Sequence, residues 1–180
     1  MKKIIALSLL CGLLFTGCNS EPSLQKYFVE KSENPDFIAL DISPSILNID
    51  NSKLTVEQSD ALATFEKMNV LAFKVDETNS VVYEEEKAKV SEMLKDKKYQ
   101  QLMRFGSGAD GASVSFVGDE EKIDEFVLFA TSKESGFAVV RILGNDMSPS
   151  SVVTLMSVIQ SSNLDIDQLK PVQQMFQQNL

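Results

Sequence analysis

The chain is expected to be an α+β protein: a two-layer sandwich in which one mixed, mostly antiparallel sheet carries helices mainly on one face. Two features of the order of elements point there. A helical pattern lies between the first two strand-like runs, which permits a right-handed parallel crossover. The second half of the chain holds four strand-like runs joined by short glycine-marked turns, the pattern of an antiparallel meander. Composition agrees: 43% apolar and 24% charged residues are ordinary values for a globular chain.

Taken in order, Ser23 to Ser32 reads as a short helix with Leu24, Tyr27, Phe28 and Lys31 on one side. Phe37 to Ile42 (FIALDI) is apolar on both alternating faces, as a central strand is. Thr55 and Gln58 have the spacing of a capping box and open a helix whose Leu62, Phe65 and Met68 share a face. Asn69 is expected to turn the chain into a strand over Val70 to Val75, and Val82 to Lys97 into a charged helix. That helix carries a narrow stripe of Tyr83, Val90, Met93 and Leu94. The meander follows: Tyr99 to Phe105, Ser113 to Val117, Phe126 to Thr131 and Phe137 to Leu143. Ser148 and Pro149 supply an N-cap and first-turn proline for a helix with Val152, Leu155, Met156 and Ile159 inward. A last helix is expected from Pro171, with Val172, Met175 and Phe176 on its apolar side.

The first residues read as an address. Lys2 and Lys3 precede the apolar run Ile4 to Phe15, whose twelve residues rise about 18 Å as a helix. A hydrocarbon core is about 30 Å thick, so the run suits a secretory signal rather than an anchor. Its end, Leu14-Phe15-Thr16-Gly17-Cys18, resembles the bacterial lipobox, with Phe15 where leucine is usual. That resemblance implies cleavage before Cys18 and acylation of Cys18 with diacylglyceryl and palmitate-type chains. Residues 1–17 are then a lipoprotein signal peptide, 18–22 the lipidated cysteine and a short tether, and 23–180 a single α+β domain. Asn19 to Pro22 spans about 14 Å at full extension, so the domain sits close to the bilayer. Cys11 leaves with the leader and Cys18 is capped, so the domain holds no free thiol. Asn19 after the cysteine resembles lipoproteins sorted onward to the outer membrane, and a lone Glu21 in place of an acidic run is unlike surface-exported ones, so the resemblance implies the periplasmic face.

The charge of −9, with pI near 4.6, argues against a nucleic-acid partner, which needs clustered Lys and Arg. The chain has no histidine, which removes mechanisms built on imidazole. Gly106-Ser107-Gly108-Ala109-Asp110-Gly111 spells G-x-G-x-x-G, but a strand rather than a helix follows, so the loop reads as a hairpin turn. Asn163, Asp165 and Asp167 alternate like the start of a calcium loop, but the required later glycine and glutamate are replaced by Gln168 and Gln174. No metal site or cofactor is expected. The acidic runs Glu84-Glu85-Glu86 and Asp119-Glu120-Glu121 read as solvated charge, with Glu85 placed to pair with Lys89. Asp41, Lys74 and Arg141 each interrupt an apolar strand. They are candidates for a cross-strand charge network, against the plainer expectation of three outward side chains with wet tips.

Several segments together resemble a known family: Ser23-Leu24-Gln25-Lys26-Tyr27-Phe28, Val70-Leu71-Ala72-Phe73, Tyr99-Gln100-Gln101-Leu102-Met103, Glu125-Phe126-Val127-Leu128-Phe129, and Gly136 through Met147. These are similar to the Bacteroidetes lipoproteins grouped as domain-of-unknown-function family 4252 (DUF4252). The resemblance implies a single-domain lipoprotein and brings no catalytic residue, substrate or cofactor. The functional expectation is a non-catalytic envelope lipoprotein, held at the membrane by lipid on Cys18, that binds or regulates another envelope protein or ligand. The alternative is a periplasmic hydrolase using carboxylates or a Ser–Lys pair, which would need two close acids or a buried lysine touching a serine. A third reading is an apolar-ligand pocket of about 300 Å³ between sheet and helices, lined by Phe and Met.

Overall fold

The computed structural model describes residues 22–47, 49–107 and 110–161. Helix α1 (Leu24–Lys31) starts at Ser23, whose hydroxyl accepts from the Lys26 amide, and leads into β1 (Phe37–Ile42). Two single 3-10 turns, Pro44–Ile46 and Asn51–Lys53, precede α2 (Val56–Thr64). The capping box forms as its spacing requires: Gln58 N donates to Thr55 Oγ1 and Thr55 N donates to Gln58 Oε1. Then come β2 (Phe65–Lys74), α3 (Ser80–Met93), β3 (Gln100–Ser107), β4 (Asp110–Asp119), β5 (Lys122–Ser132) and β6 (Gly136–Met147). Helix α4 (Pro149–Ser161) closes the described part, with the Ser151 amide donating to Ser148 Oγ at its start.

The six strands form one sheet in the order β1-β2-β6-β5-β4-β3. Every neighbouring pair is antiparallel, so the crossover permitted between the first two strands is not used. Ile42, at the end of β1, lies beside Met68 near the start of β2. The connection through α2 therefore returns at the same end of the sheet instead of crossing it. The α+β sandwich is present, but helices cover both faces of the sheet instead of mainly one, because both faces of its central strands are apolar. Leu24 and Tyr27 of α1 and Tyr83 and Val90 of α3 pack with Phe37, Leu71, Phe73, Val127, Phe129, Phe137 and Val139. Leu155 and Ile159 of α4, with Leu47 and the partly buried Leu62 of α2, pack with Met68, Val70, Phe116, Phe126 and Ile142 from the alternate positions. The central strands β2 and β6 are apolar at odd and even positions alike, so both faces need cover.

Phe65 and Met68, expected on a helix, belong to β2, and Asn69 lies mid-strand opposite Arg141 rather than in a turn. The i, i+3 spacing of Phe65 and Met68 suits a helix face, but pairing with β6 decides the outcome. Gly144 helps: a Cβ there would lie 2.1 Å from the Thr64 carbonyl oxygen, so only glycine lets the α2–β2 corner approach β6. The glycine loop is the hairpin expected, with Gly106 opposite Gly111 and Ser107 opposite Asp110. Gly106 has φ +67, the left-handed region a tight turn needs. The segment with Asn163, Asp165 and Asp167, the helix expected from Pro171, and Cys18 with its leader lie outside the described residues. Among the described residues no helix is long and apolar enough to cross a membrane.

Candidate functional site

Of the three strand-interrupting charges, Asp41 and Arg141 flank Asn69 in one cross-strand row and share a face, which Lys74 does not. Asp41 is exposed at the edge of the sheet, where it accepts a hydrogen bond from Asn69 Nδ2. Lys74 is exposed near the opposite end of β2, at a position in phase with Val70 and Ala72 and so on the other face. Arg141 is buried, contrary to the outward expectation. Its Nε donates to Glu125 Oε1 at 2.6 Å, and its guanidinium lies 5.5 Å from the Phe28 ring. Burial and the nearby Glu125 carboxylate push the Tyr99 hydroxyl up to about 12, partly offset by Arg141.

Glu86 corrects the reading of its acidic run. It is 5% exposed and accepts from Tyr27 Oη at 2.7 Å, Lys31 Nζ at 3.1 Å and Lys89 Nζ at 2.8 Å. Lys89 thus pairs with Glu86 and not with Glu85. Burial alone would raise the Glu86 pKa; the hydrogen bonds from Lys89, Tyr27 and Lys31 outweigh it and hold the carboxyl below its ordinary value. The cluster joins α1 to α3. A depressed folded pKa means the stabilisation is full above the ordinary carboxylate range and is lost as pH falls through the folded value. Glu86→Gln should cost about 1–3 kcal/mol near neutral pH. Its urea midpoint should also fall less steeply than that of the parent chain between about pH 6 and 3; parallel pH curves would show Glu86 to be uncoupled. The run Asp119-Glu120-Glu121 is exposed at the β4–β5 turn, as expected.

The cavity with the most distinctive chemistry lies where α3 passes over the β3–β5 side of the sheet. It is a cleft of about 310 Å³. Lys87, Ser91, Leu94 and Lys95 line it from α3 and the turn after it, a spacing that keeps them on one helical stripe. From the sheet come Gln101, Arg104, Gly111, Ser113, Ser115, Phe129 and Thr131. The register accounts for the sheet side: Arg104 is opposite Ser113, Ser113 opposite Phe129, Gln101 opposite Ser115 and Gly111 opposite Thr131. Under the rest of α3 the gap between layers is filled by aromatic rings, with Phe73 and Phe137 stacked at 5.7 Å. Over β4 the residues facing the helix are Gly111, Ser113 and Ser115, too small to fill that gap. The cleft is the space they leave.

A β-bulge sets the charge of this wall. The β3–β4 register slips between Gln101 and Met103, leaving Leu102 as an extra residue. Gln101 and Arg104, three apart, therefore face the same side, and Arg104 Nε donates to Gln101 Oε1 at 3.1 Å. Arg104 has no carboxylate partner among the described residues. Lys87 is held at the rim by Glu84 Oε2 at 2.6 Å and lies 4.7 Å from the Tyr83 ring. Lys95 pairs with Glu92 at 2.6 Å, but both side chains are more than 70% exposed, so that pair contributes little. Ser91 and Thr131 spend their hydroxyls on the Lys87 and Gly111 carbonyls. Ser113 and Ser115 have no hydrogen-bond partner for theirs among the described residues. Ser115 is 6% exposed, yet no sealed side-chain polar atom among the described residues lacks a partner, so its hydroxyl opens into the cleft.

A second hollow, about 490 Å³ and wide open, lies between α2 and α4 with Glu57, Asp60 and Asp146 on its walls. Among the described residues no cluster of acidic or thiol groups is arranged to hold a metal ion. The expected Phe- and Met-lined pocket is met only in part by the basic cleft: it has the expected size and is lined by Phe105 and Phe129, but by no methionine, and much of it is polar.

No curated protein and no solved structure matches the chain. The family described as Domain of unknown function (DUF4252) matches residues 27–155, from α1 into α4 and across all six strands. With well over half its length matched, the chain belongs to the DUF4252 family.

Proposed function

We propose that this protein is a non-catalytic envelope lipoprotein of the Bacteroidetes type, a binding or regulatory module tethered by lipid on Cys18 to the periplasmic face of the outer membrane. The observation that carries the binding role is the basic, hydroxyl-lined cleft between α3 and β4 on an otherwise acidic chain. The charged groups inside the fold are spent on structural partners: Glu86 on Tyr27, Lys31 and Lys89, and Arg141 on Glu125. Within the cleft, the Lys87 ammonium is engaged by Glu84 and the Ser91 hydroxyl by a backbone carbonyl, which gives the hydrolase reading no activated nucleophile. A short tether is supported by where the fold begins: Leu24 is fully buried six residues after Cys18. So short a leash keeps the cleft within a domain's width of the bilayer.

Two measurements test this. Cells grown with a clickable fatty-acid analogue should label the protein, and Cys18→Ala should abolish the label and release the chain from the membrane fraction. Label that persists in the variant would refute the anchor. Envelope extract added to the purified protein should shift amide resonances of residues bordering the cleft; shifts confined to other faces would refute the cleft's role.

A further inference from the structure

We propose that the cleft between α3 and the β3–β5 side of the sheet binds a small organic anion, a carboxylate or phosphate monoester carried on a short apolar body. This rests on the reading of the protein as a binding module and names the chemistry of its ligand. Three cations, Lys87, Lys95 and Arg104, line the cleft, and no carboxylate among the described residues lies on its walls. Glu84 and Glu92 engage Lys87 and Lys95, so Arg104 is the lining cation with no carboxylate partner among the described residues, on a chain of net −9. Arg104 is exposed and so accessible to a ligand, and a guanidinium without a carboxylate partner is the group best suited to grip a planar or tetrahedral oxyanion by its paired donors. Two unpartnered hydroxyls, Ser113 and Ser115, lie in the same wall as Arg104 and can donate to the same oxygens. Leu94 and Phe129 supply an apolar wall. Its volume of about 310 Å³ is at the small end for ligand pockets, which limits the ligand to a small molecule.

The geometry also says which contacts should matter. Lys95 is mostly exposed and loosely paired, so its contribution is long-range attraction, which salt screens. Arg104 and the serine hydroxyls provide the directional contacts. Ser115 lies deepest, and a β-branched side chain there would occupy the floor while suiting a strand.

The test uses the full-length, lipidated chain in mild detergent, labelled with nitrogen-15 and titrated with hexanoate, hexyl phosphate, inorganic phosphate and the neutral hexanamide. Hexanoate or hexyl phosphate should bind saturably, with amide shifts concentrated at residues 87–95, 101–106 and 111–115. Arg104→Gln and Ser115→Val should each weaken that binding at least about tenfold, which is 1.4 kcal/mol. Lys67→Gln, at an exposed lysine near the other end of the sheet, should leave it unchanged. Several results would overturn the proposal: no saturable binding, equal binding of hexanamide, or no effect of Arg104→Gln. Binding of inorganic phosphate as tight as that of hexyl phosphate would also overturn it, because the apolar wall would then have no part. Failure here is separable from failure of the anchor. Cys18→Ala should bind these probes as the parent does, whereas Arg104→Gln should still take up the fatty-acid label.

Discussion

Phe137→Ala is expected to destabilise the fold by about 3–5 kcal/mol, the range for removing a fully buried aromatic ring from a core. Phe137 has no exposed surface and stands on β6, near the middle of the sheet. Its ring stacks on Phe73 at 5.7 Å, meets Phe37 and Phe129 edge-on at 6.1 and 6.0 Å, and lies 6.2 Å from Tyr83. These partners come from β2, β1, β5 and α3, so the cavity cannot be closed by moving one element. The neighbouring Gly136 adds rigidity: at φ +115, a Cβ there would stand 1.9 Å from the Phe73 carbonyl oxygen. Urea unfolding would check the effect, and a loss below roughly 1 kcal/mol would mean the site relaxes or the ring cluster is not formed.

Removing one side of the Arg141–Glu125 pair should be about as damaging. Arg141→Met is expected to cost about 3–5 kcal/mol, because it leaves the Glu125 carboxylate without its cation in a site where both side chains are at most 13% exposed. The double variant Arg141→Met with Glu125→Leu should recover most of that loss, since taking a charge pair out of water costs nearly as much as the pair returns. The comparison is a double-mutant cycle read by chemical denaturation. A double variant no more stable than Arg141→Met alone would show that the pair, and not merely charge balance, holds β5 to β6 there.

Local signals were the legible ones. Thr55 with Gln58, Ser148 with Pro149, and Ser23 before its helix all place a hydroxyl where exposed helix amides need an acceptor, and that chemistry needs nothing distant. The turn glycines likewise announce the meander. Glu86 was not legible, because nothing within Glu84-Glu85-Glu86 distinguishes the member that is buried. Its partners Tyr27 and Lys31 lie more than fifty residues earlier in the chain. Helices on both faces follow from the middles of β2 and β6 being apolar at odd and even positions alike, a pattern visible in Val70–Phe73 and Phe137–Val140. The cleft left half a trace. Gly111, Ser113 and Ser115 alternate with Ala112, Val114 and Phe116, which announces a strand with a small, polar face. The partner of that face, the Lys87–Lys95 stripe, emerges only once α3 is laid across it.

Leu102 has an effect beyond its own side chain. A strand with a supernumerary link reverses the allegiance of everything beyond it, so the hairpin arm from Met103 onward is dyed inside out relative to Gln101. Were the bulge smoothed out with Leu102 taken into the ladder, Met103 would come opposite Ser113 and Phe105 opposite Gly111, beneath α3, while Arg104 turned away. The same letters would then line the hollow with hydrocarbon and suit it to oil in place of acid. The preference of this recess is thus written in the register of one strand as much as in the kinds of its residues.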